Sequence, residues 1–367
     1  MNFIFSAPFL LIFNFTLVTL VSDQLGYFYS FSNLYYLYLI IVLSVFTISY
    51  ILGRLIYWPK VKLFKFNIYL EKENKIKYYR ISLILGMILI MLDHILISGP
   101  NFYTSDAITA YRFYLTELGG TSKVPFIPLF NFFFFCAIPF LISNSKHLAK
   151  ENKYLYWFSV LFYIFLSSAR SSLFFFMLLA FFYYFGYKKI TFKTLIMIVL
   201  IVACSIIGFS LIGSLVGKDV KDSAVFFIYW IGGAHVLDII LNNINFIHYP
   251  LVSFRPFQKI IELFGIPTIS SQGLLPYYYT PFPTNVFSIF GVYVLDFGIG
   301  GSLVCMSFFG FLSGHIEKLL VSISTRSYIR LIYSLNCTIL VLGVFHDYYT
   351  SSGITYTIIL LGLFFFD

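Results

Sequence analysis

Charged side chains are scarce in this 367-residue sequence. Asp, Glu, Lys and Arg make up 11% of it, against 60% hydrophobic and 22% aromatic residues, whereas a soluble domain carries about a quarter charged residues. That shortage excludes an ordinary water-soluble surface. Cysteine is scarce too. Cys136, Cys204, Cys305 and Cys337 each fall in an apolar run without metal-ligand spacing, which implies core residues and neither a disulfide framework nor a zinc site. Familiar catalytic signatures are missing. With no HExxH, CxxC, GxSxG, Walker loop, or GxGxxG followed by an acidic residue, metal hydrolysis, ATP-driven pumping and dinucleotide chemistry have no support in the sequence. A basic face for nucleic acid is also lacking. The net charge is +9, but Lys and Arg sit in short clusters between apolar runs.

Apolar runs are what the chain has instead. Mean hydropathy is +0.89, and runs of about twenty residues recur, each long enough to cross about 30 Å of hydrocarbon as a helix. Spans are expected near 3–21, 34–57, 81–98, 125–143, 154–169, 171–187, 194–214, 286–314, 328–345 and 354–366. The expected fold is all-α, a polytopic integral membrane helical bundle of about ten transmembrane helices in one domain over residues 1–367. The opening MNFIFSAPFLLIFNFTLVTL lacks a basic n-region and runs into further spans, so it reads as a retained first helix. Sixteen Lys and Arg residues fall in the loops of one side, from Lys60 to Arg330, and seven in the loops of the other. The positive-inside rule then gives an N-in, C-in orientation.

Two outer loops are long, near 99–124 and 215–285, the second lying between spans seven and eight. The second is unusually apolar, with VFFIYWIGGAHVLDIIL and PYYYTPFPTNVF, which suits the interface or short re-entrant helices against the bundle. No inverted internal repeat stands out. Basic residues on the outer side run against the charge bias. Arg170, in FLSSARSSLFFF, sits in a tight outer turn at the hydrocarbon edge, where a lone cation suits a bound anion or snorkelling to a lipid phosphate. Arg112 in TAYRFYLTELGG and Arg255 in VSFRPFQKIIELFG have aromatic neighbours, and a guanidinium both stacks on rings and binds phosphate through two donors. Each also suits a solvated loop charge, as do Lys218, Lys221 and Lys259.

For acid and base chemistry the outer candidates are His235 and Asp238, His248, Glu262, Asp296, and the pair His346 and Asp347. His235 and Asp238 are three apart, so a helix puts them on one face, where the carboxylate could orient the imidazole. Asp296, in VYVLDFGIGG, is an ionisable group at the edge of an apolar span, the default place for either a functional group or a polar pair between helices. Asp93 and His94, at the end of the third span, are similar. Asp23 is the one acidic residue of the first outer loop, so the paired acidic motif of glycosyltransferases of the oligosaccharyltransferase kind is absent there.

Three features together resemble the O-antigen polymerases, the Wzy-type oligosaccharide repeat-unit polymerases of bacterial inner membranes. They are the turn SSARSSLFFF leading into an apolar span, the large outer loop between spans seven and eight, and TNVFSIFGVYVLDFGIGGSLVCMSFFGFLSG with its TNV, aromatic and DFG stretch. The resemblance implies a glycosyl transfer at the periplasmic face without cofactor or metal. A growing glycan would leave undecaprenyl diphosphate and join a new lipid-linked repeat unit. It implies diphosphate binding by Arg170, Arg255 and Arg112, proton removal by His235, supported by Asp238, or else by Asp296, and stacking of sugars on Tyr277, Tyr278 and Tyr279. Expected partners are the undecaprenyl-diphosphate-linked oligosaccharide, the bilayer, a chain-length regulator and a flippase, and not nucleic acid. An O-antigen ligase, a transporter such as a repeat-unit flippase, and a membrane subunit without chemistry are the alternatives.

Overall fold

The computed structural model describes residues 5–26, 28–56, 71–99, 103–116, 122–124, 127–167, 170–186, 188, 224–243, 253, 278–280, 282–284, 286–322, 326–344, 346–349 and 352–366, with scattered positions between 191 and 207. In chain order the described elements are α1 (Ala7–Leu25), α2 (Asn33–Leu55), α3 (Lys72–Ser98), α4 (Ser105–Thr116), α5 (Ile127–Phe135), α6 (Ala137–Asn144), α7 (Lys150–Ser167), α8 (Arg170–Phe185) and α9 (Ala224–Asn242). A short hairpin of β1 (Tyr278–Thr280) and β2 (Phe282–Thr284) follows, then α10 (Ile289–Ser322), α11 (Ser327–Leu342) and α12 (Gly353–Phe365).

Four of these are long and apolar enough to cross a bilayer: α1 over Ala7–Gln24, α2, α3 and α10. Ser172–Phe185, α11 and α12 are shorter apolar helices. This is the architecture of a helical membrane protein. Exposed faces are greasy, with Leu37, Ile40, Ile48 and Leu55 pointing outward on α2, the pattern expected where the solvent is hydrocarbon. At 1.5 Å per residue α3 reaches about 40 Å. Its first turns, KENKIKYYR, are therefore helix that extends past the hydrocarbon.

Contacts divide the chain into two compact units. The first comprises Met1–Tyr57, Ser223–Ser324 and Leu335–Thr355, and the second Trp58–Asp222, Thr325–Ser334 and Tyr356–Asp367. In the first unit, α1 begins with proline in its first turn, where a missing N–H is tolerated, and ends at Gly26 with φ 63°, the left-handed region that glycine enters without penalty. Ser32 caps α2, its hydroxyl accepting from the Tyr35 N–H at 3.2 Å. α2 and α10 then pack backbone to backbone. A methyl group at Gly310 would strike the Phe46 carbonyl, one at Gly314 the Tyr50 carbonyl, and one at Gly53 the Phe311 carbonyl. The spacing Gly310-xxx-Gly314 is the small-residue pattern that lets membrane helices touch. Below this contact Glu317 is buried against Tyr50, with Arg54 at 3.9 Å.

The second unit is filled with rings. Tyr79 stacks on Phe140 with centroids 3.9 Å apart and on Tyr156 at 5.8 Å, and meets Phe133 and Phe365 edge-on. Tyr163 stacks on Phe134, and Phe135 stacks on Phe176.

Two expected spans take a different form. The one near 125–143 is two helices, α5 and α6, that meet at Cys136 (φ −93°, ψ 3°). Pro139 has no N–H to return to Phe135, so the ladder cannot run through that turn. The span near 286–314 extends to Ser322 and is interrupted at Gly298, whose φ of 69° is a conformation that no other residue adopts easily. The expected outer loops also hold helices, α4 in 99–124 and α9 in 215–285, and α9 packs on α1, α2 and α10. Most of the expected span 194–214 lies outside the described residues.

Candidate active site

His235 and Asp238 both lie on α9, one turn apart, and face the turn between α1 and α2. The His235 Nε2 is 2.7 Å from the Ser22 hydroxyl, and its ring stacks on Phe28 and Phe31 with centroids 4.7 and 4.1 Å away. Burial pushes the imidazole pKa down to about 4, so it is held neutral. Asp238 does not orient this imidazole as its spacing suggested. Its carboxylate accepts from the Ser32 N–H at 3.2 Å, from the Ser32 hydroxyl, and from Asn242 Nδ2 at 3.0 Å. Two donors on one capping serine satisfy an ionised carboxylate better than a single ring N–H, because charge-assisted bonds are the strong ones. The pair is thus a clasp that holds the α1–α2 turn against α9. Sequence reasoning passed over Ser22 and Ser32, although a serine directly before the run NLYYLY is a helix-start signal.

Asp296 lies two residues before the break in α10. It is 8% exposed, and its Oδ2 accepts from both the N–H and the hydroxyl of Ser253, at 2.6 and 2.5 Å. Beyond the break, Ser302 accepts or donates to the Tyr38 hydroxyl at 2.8 Å and donates to the Ile299 carbonyl at 2.7 Å. Asp347 is fully buried, accepting from the Tyr293 hydroxyl at 3.2 Å and the Tyr349 N–H at 2.9 Å. Tyr293, which donates to Asp347, lies one turn before Asp296 on α10, so the two carboxylates share one neighbourhood of the first unit. His346, beside Asp347, meets Tyr348 edge-on at 4.5 Å.

Tyr278 is 8% exposed and packs edge-on against Phe287 at 5.6 Å, with its strand against α9. Its ring face is therefore committed to the protein interior and not open to a sugar. The hairpin turns Tyr278 inward because strand side chains alternate sides.

Arg112 and Arg170 belong to the second unit. Arg112 is on α4 next to Tyr111, and Arg170 is the first residue of α8. The position of α4 is set by Asp93. One oxygen of Asp93 accepts from the Tyr111 hydroxyl at 2.9 Å, and the other from the Ser122 hydroxyl and the N–H groups of Lys123 and Val124 at 2.9, 2.6 and 3.0 Å. Burial and then the Asp93 carboxylate raise the Tyr111 phenol above its ordinary pKa, so it stays a proton donor. Asp93 is thus an anchor for the chain on either side of 117–121, and His94 next to it packs on the Tyr111 ring at 4.8 Å. Arg255, Tyr277, His248, Glu262, Lys218, Lys221 and Lys259 lie outside the described residues.

Among the described residues no three His, Cys, Asp or Glu side chains converge as a metal-binding group. No family model, curated protein or solved structure matches this chain.

Proposed function

We propose that this chain is a polymerase of lipid-linked oligosaccharide repeat units, with about ten spans, both termini inside, and its reaction at the periplasmic face of a bacterial inner membrane. The observation that carries the proposal is Asp296, a buried carboxylate beside a helix break within the TNV…DFG stretch that resembles the O-antigen polymerases. In the reaction a hydroxyl oxygen of the new repeat unit attacks the anomeric carbon of the growing glycan. The bond from that carbon to undecaprenyl diphosphate breaks, and the hydroxyl proton passes to a base. Asp296 suits that task better than His235, whose Nε2 meets Ser22 and whose ring faces Phe28 and Phe31. Arg170, Arg112 and Arg255 hold and stabilise the diphosphates, a task of positioning and charge. A cation in the first turn of a helix opposes the helix dipole unless an anion sits there, which favours this role for Arg170.

Deletion of the gene, followed by complementation, tests the proposal. The expected result is collapse of the lipopolysaccharide ladder to core plus one repeat unit, restored by wild type and not by Arg170→Ala or Asp296→Asn at normal membrane abundance. An unchanged ladder overturns it. One observation favours a second reading, a transporter such as a repeat-unit flippase: α10 is discontinuous and carries an ionisable residue at its break, the device that transporters use for substrate sites. That reading expects core with no repeat unit after deletion.

A further inference from the structure

Beside their glycine contact, α2 and α10 of the first unit enclose a groove of about 550 Å³, lined by Val45, Ser49 and Leu52 on one helix and by Val304, Phe308 and Phe311 on the other. Small side chains at its floor leave this room. Ser49 and Ser307 share a hydrogen bond at 2.8 Å, so the hydroxyls satisfy each other and the walls that remain are carbon. Leu52, Val304 and Phe308 are exposed, which opens the groove to hydrocarbon along its length.

The foot of the groove carries a charge. The lining face of α2 continues from Val45, Ser49 and Leu52 to Ile56, and that of α10 from Val304, Phe308 and Phe311 through His315 to Lys318, each at the three-and-four spacing of one helix face. The two faces meet there, because Lys318 Nζ donates to the Ile56 carbonyl at 3.2 Å. Glu317, one position round the helix, is 3% exposed and is committed to the Tyr50 hydroxyl and to Arg54. From Val45 to Ile56 the groove and its foot run about 16 Å of helix, against about 15 Å for one leaflet's share of the hydrocarbon.

A carbon-walled groove one leaflet deep that ends on an ammonium group is complementary to a lipid with an apolar chain and an anionic head. We infer that this groove binds an anionic glycerophospholipid, one acyl chain lying between Leu52 and Phe308 and the phosphate meeting Lys318. A zwitterionic lipid offers the same chain and phosphate, but its own ammonium group opposes the lysine, so the charge of the head is what Lys318 discriminates. The site is independent of the polymerase reading. A lysine that only fixes orientation, or only extends its stem along apolar surface, predicts no preference between heads.

The test is native mass spectrometry of the full-length protein in detergent, titrated with dioleoyl phosphatidylglycerol or with dioleoyl phosphatidylethanolamine. Saturable binding of phosphatidylglycerol is expected, about fivefold tighter than that of phosphatidylethanolamine, the scale of one lysine at an anionic surface. Lys318→Gln should abolish that preference and Lys318→Arg should keep it. Val304→Trp, at an exposed position on the wall, fills the groove and should weaken both lipids while the preference persists. Lys72→Gln, which removes an exposed lysine at the start of α3, should bind as wild type does. Thermal unfolding checks that each variant is folded. Equal affinity of wild type for the two lipids overturns the inference. So does a preference that survives Lys318→Gln or is lost equally in Lys72→Gln, and so does binding of both lipids that Val304→Trp leaves unchanged.

Discussion

The two units solve one problem by opposite means. Neither can draw on water to push its helices together, since lipid is as apolar as leucine. The first unit removes side chains, so that α2 and α10 meet through Gly53, Gly310 and Gly314, and inserts buried polar pairs around the contact. The second fills its interior with stacked and edge-on rings around Tyr79. Close backbones leave no space to relax into, whereas a ring cluster can repack in part. The first arrangement should therefore be brittle and the second tolerant.

Gly314→Val is the sharpest way to break this comparison. A β-branched residue would overlap the Tyr50 carbonyl, and overpacking of rigid backbone is expected to destabilise by more than about 3 kcal/mol, lowering folded yield in fluorescence-detected size exclusion. Gly300→Val in the same helix has open space around it and should behave as wild type. Equal damage from both would mean that backbone contact is not what matters. In the second unit Phe140→Ala removes a fully buried ring and should cost about 3 kcal/mol or less, because partial repacking offsets part of the cavity. A melting temperature below that of Gly314→Val would reverse the ranking.

Smaller effects are expected from the polar anchors. Asp93→Ala leaves Tyr111, Ser122 and two N–H groups without their acceptor and should cost about 2 kcal/mol. It should also speed hydrogen exchange of the Lys123 and Val124 amides, and unchanged exchange there would contradict the anchoring role. The smallest effect is the pH response of His235. Its pKa is lowered on folding from 6.5 to about 4, so the unfolded chain takes up the proton first. Its share of stability is complete above pH 6.5 and falls as pH drops toward 4, by at most about 1.4 kcal/mol per pH unit. His235→Gln should flatten that part of the melting-temperature profile, and a slope that persists would assign it to other groups.

Much of the helical pattern was legible because hydrocarbon length and apolar runs fix where helices lie. α2, α7, α8, α11 and α12 fall within a few residues of their expected bounds. The interruptions at Cys136 and Gly298 were harder to read, since both sit inside unbroken apolar runs and depend on a proline or glycine whose effect is decided by packing. GFLSG carried the signal for the close approach of α10 and α2, but the partner glycine is over 250 residues away in sequence. Candidate site residues were chosen by charge and position, which locates ionisable groups but not their partners. Asp238 and Ser32 are 206 residues apart, and His235 and Ser22 are 213 apart, so helical spacing alone favoured the wrong neighbour for Asp238.

The glycine contact has a mechanical consequence. Two helices whose backbones touch at three points cannot slide or tilt independently, so α2 and the part of α10 after Gly298 behave as one strut. The part of α10 before that glycine is free of this weld and carries Asp296 at its tip. That arm answers to other neighbours, the Ile289 N–H donating to the Gly343 carbonyl at 2.6 Å and Phe290 stacking on Phe15 at 4.4 Å, so one continuous-looking helix is two mechanical parts joined at a single glycine.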